Sequence, residues 1–100
     1  MLYNIFMKLS SNKALREFAT LHPDAEAPLQ AFRHLVEKGR YDSFSALRAT
    51  FGSLDKVGDR FVFNIGGNKY RLIASIAFAA QLLWVKAVLT HAEYDKGEWK

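Results

Sequence analysis

A chain of 100 residues, half of them hydrophobic and 24% charged, has room for one globular domain around one core and is too apolar to be a disordered chain. Lys and Arg outnumber Asp and Glu by 14 to 10, giving a net charge of +4 and a pI of about 9.5. That balance suits a polyanionic partner, whether nucleic acid, an anionic membrane surface or an acidic protein. The absence of cysteine excludes disulfides, thiolate metal sites and thiol nucleophiles, and fits a reducing, cytoplasmic setting.

The apolar start, Met1–Leu9, lacks the basic start and small-residue cleavage site of a signal peptide. Tyr3–Met7 reads as a short strand, and Met1 and Met7 are both eligible starts. Ser11 or Asn12 predicts the beginning of a first helix with a stripe of Ala14, Phe18 and Leu21, which Pro23 ends. Asp24 is the expected cap of a second helix reaching about Lys38. Pro28 is tolerated in or beside its first turn, Leu29, Phe32 and Val36 form its apolar stripe with Leu35 adjacent, and Gly39 is its stop. A third, short helix from Ser43 carries Phe44, Leu47 and Phe51.

Beyond Gly52 the apolar period drops from the helical value to two. Strands are expected at Arg60–Ile65, Lys69–Ala77 and Leu82–Leu89. Gly66-Gly67-Asn68 turns between the first two, and a second turn lies near Ala79–Gln81. Leu72–Leu89 has the length of a membrane span, but Gln81 and Lys86 interrupt it and two strands explain it better. Helices first and strands second predict an α+β fold over residues 1–100.

Alternation sorts these strands into two faces. One holds Phe61, Phe63, Ile65, Tyr70, Leu72, Ala74, Ile76, Leu83, Val85, Ala87 and Leu89, and is the face that the helices should cover. The other holds Arg60, Val62, Asn64, Lys69, Arg71, Ile73, Ser75, Leu82, Trp84, Lys86 and Val88. Two loop residues at Gly66-Gly67 set Phe63 opposite Tyr70; a loop at Gly67-Asn68 keeps the same faces. Four cations, Arg60, Lys69, Arg71 and Lys86, thus share one face without an acid among them. Such a face is either a solvated surface or a phosphate platform, on which Arg is a bidentate donor and Trp84 a stacking surface.

Thr90-His91-Ala92-Glu93-Tyr94-Asp95 follows the last strand. His91 and Tyr94 are three apart and can share a helical face, and both can move protons. Alternatively, Thr90 or Asp95 caps a helix, His91 is an exposed polar residue and Tyr94 packs. His22 and His34 lie too scattered to build a zinc site with His91, and Gly66-Gly67 lacks the frame of a phosphate loop.

Phe63-Asn64-Ile65-Gly66-Gly67-Asn68-Lys69-Tyr70-Arg71-Leu72 resembles the central hairpin of the HigB family of toxins in the RelE/ParE superfamily, and Leu89-Thr90-His91-Ala92-Glu93-Tyr94-Asp95-Lys96 resembles that family's ending. The likeness extends over nearly the whole chain from Asn12. It implies a RelE-like fold, with N-terminal helices packed on one face of a twisted antiparallel β-sheet and the site on the other. It also implies an endoribonuclease acting on messenger RNA, typically on the ribosome, neutralised by a HigA-like helix-turn-helix antitoxin, with no cofactor or metal. Arg71, His91 and Tyr94 carry over as catalytic-site residues. The face argument adds Lys86 to them, and Arg60, Asn64, Lys69 and Trp84 as RNA-binding residues. A ParE-like poison of a topoisomerase and a non-catalytic RNA- or ribosome-binding regulator are the competing expectations.

Overall fold

The computed structural model of the chain describes residues 6–100. The expected strand Tyr3–Met7 therefore lies mostly outside the described residues. Strand β1 is Lys8–Leu9, followed by helix α1 at Lys13–Leu21. A 3-10 turn at Pro23–Ala25 leads into α2 at Glu26–Lys38, and α3 is Phe44–Thr50. Four strands then run in sequence, β2 at Asp55–Val57, β3 at Arg60–Ile65, β4 at Tyr70–Ala77 and β5 at Leu82–Thr90, before a last helix α4 at His91–Lys96. The sheet order is β1-β5-β4-β3-β2, antiparallel except for the β1–β5 edge pair.

Of the expected caps in the first half, only that of α3 makes its side-chain bond; neither Asn12 at α1 nor Ala25 at α2 does. Ser43 accepts from the Ala46 amide at 3.1 Å and starts α3. Leu29, Phe32 and Val36 are buried on α2, and Leu47 on α3, with Phe44 and Phe51 packed beside it. On α1, Phe18 of the expected stripe packs against the core, but the buried residue is Leu15, and Leu21, the last residue of the helix, is 78% exposed. Gly39 does stop α2, but in an extended conformation (φ −124°, ψ 163°). Its glycine is required for space: a Cβ would lie 2.6 Å from the Tyr41 hydroxyl, which donates to the Leu35 carbonyl at 2.7 Å and closes the last turn.

Phe61, Phe63, Ile65, Tyr70, Leu72, Ala74 and Leu83 form the sheet side of the core, against Leu15, Leu29, Phe32, Val36 and Leu47 from the helices. The β3–β4 register sets Ile65 opposite Tyr70, Asn64 opposite Arg71 and Phe63 opposite Leu72. This is the pairing given by a loop centred on Gly67-Asn68, not by one at Gly66-Gly67. Gly66 and Gly67 both take positive φ, and the Lys69 amide donates to the Gly66 carbonyl.

One expectation about β5 fails. A bulge interrupts the β4–β5 ladder: Ile73 pairs with Ala87, and Ala74 with Val85, so Lys86 is the extra residue. An extra residue inverts the alternation downstream. Val88 therefore packs on the core with Val85, whereas Ala87 and Leu89 sit opposite Ile73 and Arg71 on the outer face. Buried Gln81, at φ 52°, ties the β4–β5 turn to the chain before α3. Its amide nitrogen donates to the carbonyls of Tyr41 (2.6 Å) and Phe78 (2.8 Å). Among the described residues no helix is long and apolar enough to cross a membrane.

Candidate active site

The outer sheet face is arranged in rows across β3, β4 and β5. Arg60 neighbours Ser75, which pairs with Trp84, and the Arg60 guanidinium donates to the Ser75 hydroxyl at 2.8 Å. Val62 pairs with Ile73, which pairs with Ala87 beside the bulged Lys86. Asn64 pairs with Arg71, which pairs with Leu89. Val62 and Ile73 are buried and form an apolar floor between two arginines, with Lys86 exposed alongside.

Arg71 is the centre of this surface. It is only 8% exposed, and no described carboxylate forms an ion pair with it. Its Nη1 donates to the carbonyls of Asn68 (3.1 Å) and Tyr70 (3.2 Å), and its Nη2 donates to the Asn68 side-chain oxygen. The Tyr94 ring lies 5.4 Å from the guanidinium carbon. Tyr94 in turn stacks on Trp99, with centroids 5.0 Å apart and planes 13° from parallel. Gly97, left-handed at φ 73°, turns the chain back after α4, and the Trp99 indole donates to the Tyr94 carbonyl at 2.9 Å. A buried guanidinium is costly unless compensated, and here every partner is neutral. The charge is held in place but left unbalanced.

Helix α4 is launched by a capping box. The Thr90 hydroxyl accepts from the Glu93 amide, and the Glu93 carboxylate accepts from the Thr90 amide at 2.9 Å. That backbone bond holds the Glu93 carboxyl below its ordinary value. Of the expected alternatives for this ending, the capping one is seen: Thr90 caps the helix, and Tyr94 packs against both the Arg71 guanidinium and the Trp99 ring. His91 is half-exposed, and its Nδ1 lies 3.0 Å from Asp95, one turn on. Asp95 orients the imidazole, so that Nε2 is the nitrogen left for other partners.

Lys69 departs from the expected face. It belongs to the turn, where its ammonium and the Tyr70 hydroxyl (2.6 Å) both reach Asp24 on the helix side of the sheet. Asp24 is therefore not a helix cap but a clamp between the 3-10 turn and the hairpin. The hydrogen bond from Lys69, then that from Tyr70, hold its carboxyl below the ordinary range, and the same bonds push both partners up. His22 stacks on Phe18 (centroids 4.4 Å apart) beside this clamp. Sequence reasoning missed Asp24, Asn68, Asp95 and Trp99. Only the His91–Asp95 spacing, one helical turn, offered a signal.

Helices over one sheet face, with a basic site on the other, make the RelE-like architecture. A family model described as the HigB toxin, the RelE-like toxic component of a toxin–antitoxin system, matches residues 25–97. The mRNA interferase toxin HigB of Escherichia coli K12 is 36% identical, over 89% of this chain and 88% of that protein. The mRNA interferase HigB of Shigella flexneri matches to the same extent. That of Escherichia coli O6:H1 is 30% identical over 90% of each chain. The chain belongs to the HigB family of toxins.

Proposed function

We propose that this toxin is an endoribonuclease that cuts messenger RNA by internal attack of a ribose 2′-hydroxyl on the adjacent phosphorus. The observation that carries this reading is Arg71, a buried guanidinium with neutral partners on an open sheet face. The names of its relatives point to the same substrate. In the step itself the 2′-oxygen bonds to phosphorus and the bond to the 5′-oxygen breaks, leaving a cyclic phosphate and a 5′-hydroxyl. The nucleophile belongs to the RNA, so the scheme calls on no metal. Arg71 with Lys86 stabilises the charge developing on the phosphoryl oxygens. His91, oriented by Asp95, and Tyr94, against Arg71, are the proton-transfer groups, one taking the 2′-proton and one protonating the leaving oxygen. Arg60, Asn64 and Trp84 hold neighbouring nucleotides.

The ribosome is the proposed setting for cleavage, and a helix-turn-helix protein the proposed antitoxin. Arg71→Ala is expected to abolish message cleavage and growth arrest with the fold retained by circular dichroism. His91→Gln should lose cleavage but keep ribosome binding. Primer extension on messages from expressing cells checks both. Cuts at codon positions are expected; DNA breaks with intact messages would mean a topoisomerase poison, and neither would mean a binder. Recovery of only 3′-hydroxyl ends would overturn the internal-attack scheme.

A further inference from the structure

Asn68 contributes two atoms to Arg71, its carbonyl to Nη1 and its side-chain oxygen to Nη2. Asparagine in a turn is ordinarily explained by its tolerance of left-handed backbone. That explanation does not apply here, because Gln81 is the one described non-glycine residue with positive φ, and Gly66 and Gly67 supply the turn's own positive-φ positions. The side chain is instead committed to the guanidinium. An aspartate could make the same contact with charge assistance, and such pairs are shorter and stronger. The other acids around the site are engaged elsewhere: Asp24 with Lys69 and Tyr70, Glu93 with Thr90, and Asp95 with His91.

We infer that Asn68 is a positioning residue for the phosphate chemistry at Arg71, a neutral acceptor that fixes the guanidinium without cancelling its charge. The inference rests on the reading of Arg71 as the phosphate-contacting cation. Asn68 touches no reacting atom; it acts by aiming Arg71 and by leaving the local potential positive for the scissile phosphate. A carboxylate in its place would keep the aim and lose the potential.

The experiment compares the full-length toxin with Asn68→Asp, Asn68→Ala and Arg71→Ala. It measures message cleavage per folded molecule, binding of an RNA made uncleavable by a 2′-deoxy substitution at the cut site, and Tm. Asn68→Asp is expected to match or exceed the parent in Tm while losing roughly tenfold or more in both cleavage and binding, the scale of one hydrogen bond to a charged group. Asn68→Ala should lose kcat more than KM, because the charge survives but its direction does not. If Asn68→Asp fails to fold, that kcat-against-KM split still decides. A merely structural Asn68 predicts otherwise: Asn68→Asp fully active, and Asn68→Ala lowered in Tm with unchanged kcat per folded molecule. Full activity in Arg71→Ala would overturn the underlying reading, whereas an inactive Arg71→Ala beside a fully active Asn68→Asp would overturn this inference alone.

Discussion

Lys69 and Arg71 are two cations separated by one residue, and the turn sends them to opposite sides of the sheet. Lys69 and Tyr70 reach Asp24 among the helices, while Arg71 lies among neutral groups on the outer face. The Asp24 clamp gives a prediction with a definite sign. The Asp24 carboxyl is depressed below its ordinary 3.8, so its stabilisation is fully present above that value and is lost as pH falls through the lower, folded-state one. Lys69 and Tyr70 are both raised, so their share is present below their ordinary values and lost as pH rises through the raised ones. Asp24→Asn should therefore lower Tm by a constant amount across the neutral range, and the gap from the parent should close in acid below about pH 4. A gap independent of pH in thermal melts would mean that the charge of Asp24 does not matter. Alternation put Lys69 with the other cations because it was counted as a strand residue. As a loop residue it is free of the strand's pleat, and nothing in the local sequence distinguishes those two states.

Helix α4 shows the same limit at the scale of an element. Thr90 and Glu93 stand three apart in the order a capping box needs, so the helix start was legible. The bulge at Lys86 was not. Ala87, Val88 and Leu89 are all apolar, so the segment can bury either face and the sequence pattern tolerates a one-residue shift. The consequence is local: the bulge sets Leu89 beside Arg71 on the outer face, under the helix that carries Tyr94. A six-residue helix has little stability of its own and depends on its ends. Thr90→Ala should cost about 1 kcal/mol locally. His91 and Tyr94 are expected to lose their placement first, so cleavage should fall more than Tm does. The α4 amides should exchange with solvent faster, while those of β3 and β4 are unchanged. Equal loss of protection throughout would show that α4 is not an independent unit.

For the whole molecule, the switch of apolar period at Gly52 made the α+β division readable, and the buried stripes of α2 and α3 made the covered face readable. The edge strands Lys8–Leu9 and Asp55–Val57 are two and three residues long, too short to display any period, and only pairing with β5 and β3 defines them. Of the candidate site, alternation placed Arg60 and Arg71 together on the outer face, but Lys69, a turn residue, pairs with Asp24 on the helix side and Lys86 sits in a bulge. The site's neutral supports were hidden, since Asn68 and Trp99 come from a turn and from the chain beyond α4.

This division of labour makes an electrostatic prediction. A net charge of +4 attracts RNA from all directions, but only cations that meet phosphates release counterions. Each such contact to a single strand contributes about 0.7 to the slope of log affinity against log salt. Lys86 is exposed beside the Val62–Ile73 floor, and no described acid pairs with it. Lys69 already has Asp24. Lys86→Ala should therefore flatten the salt dependence of binding to an uncleavable single-stranded RNA by about that amount, and Lys69→Ala should flatten it less. Fluorescence anisotropy titrations across a salt series measure both. Equal effects would mean that RNA displaces Asp24 from Lys69, extending the footprint around the hairpin to the helix side. No effect from Lys86→Ala would confine the phosphate path to the two arginines.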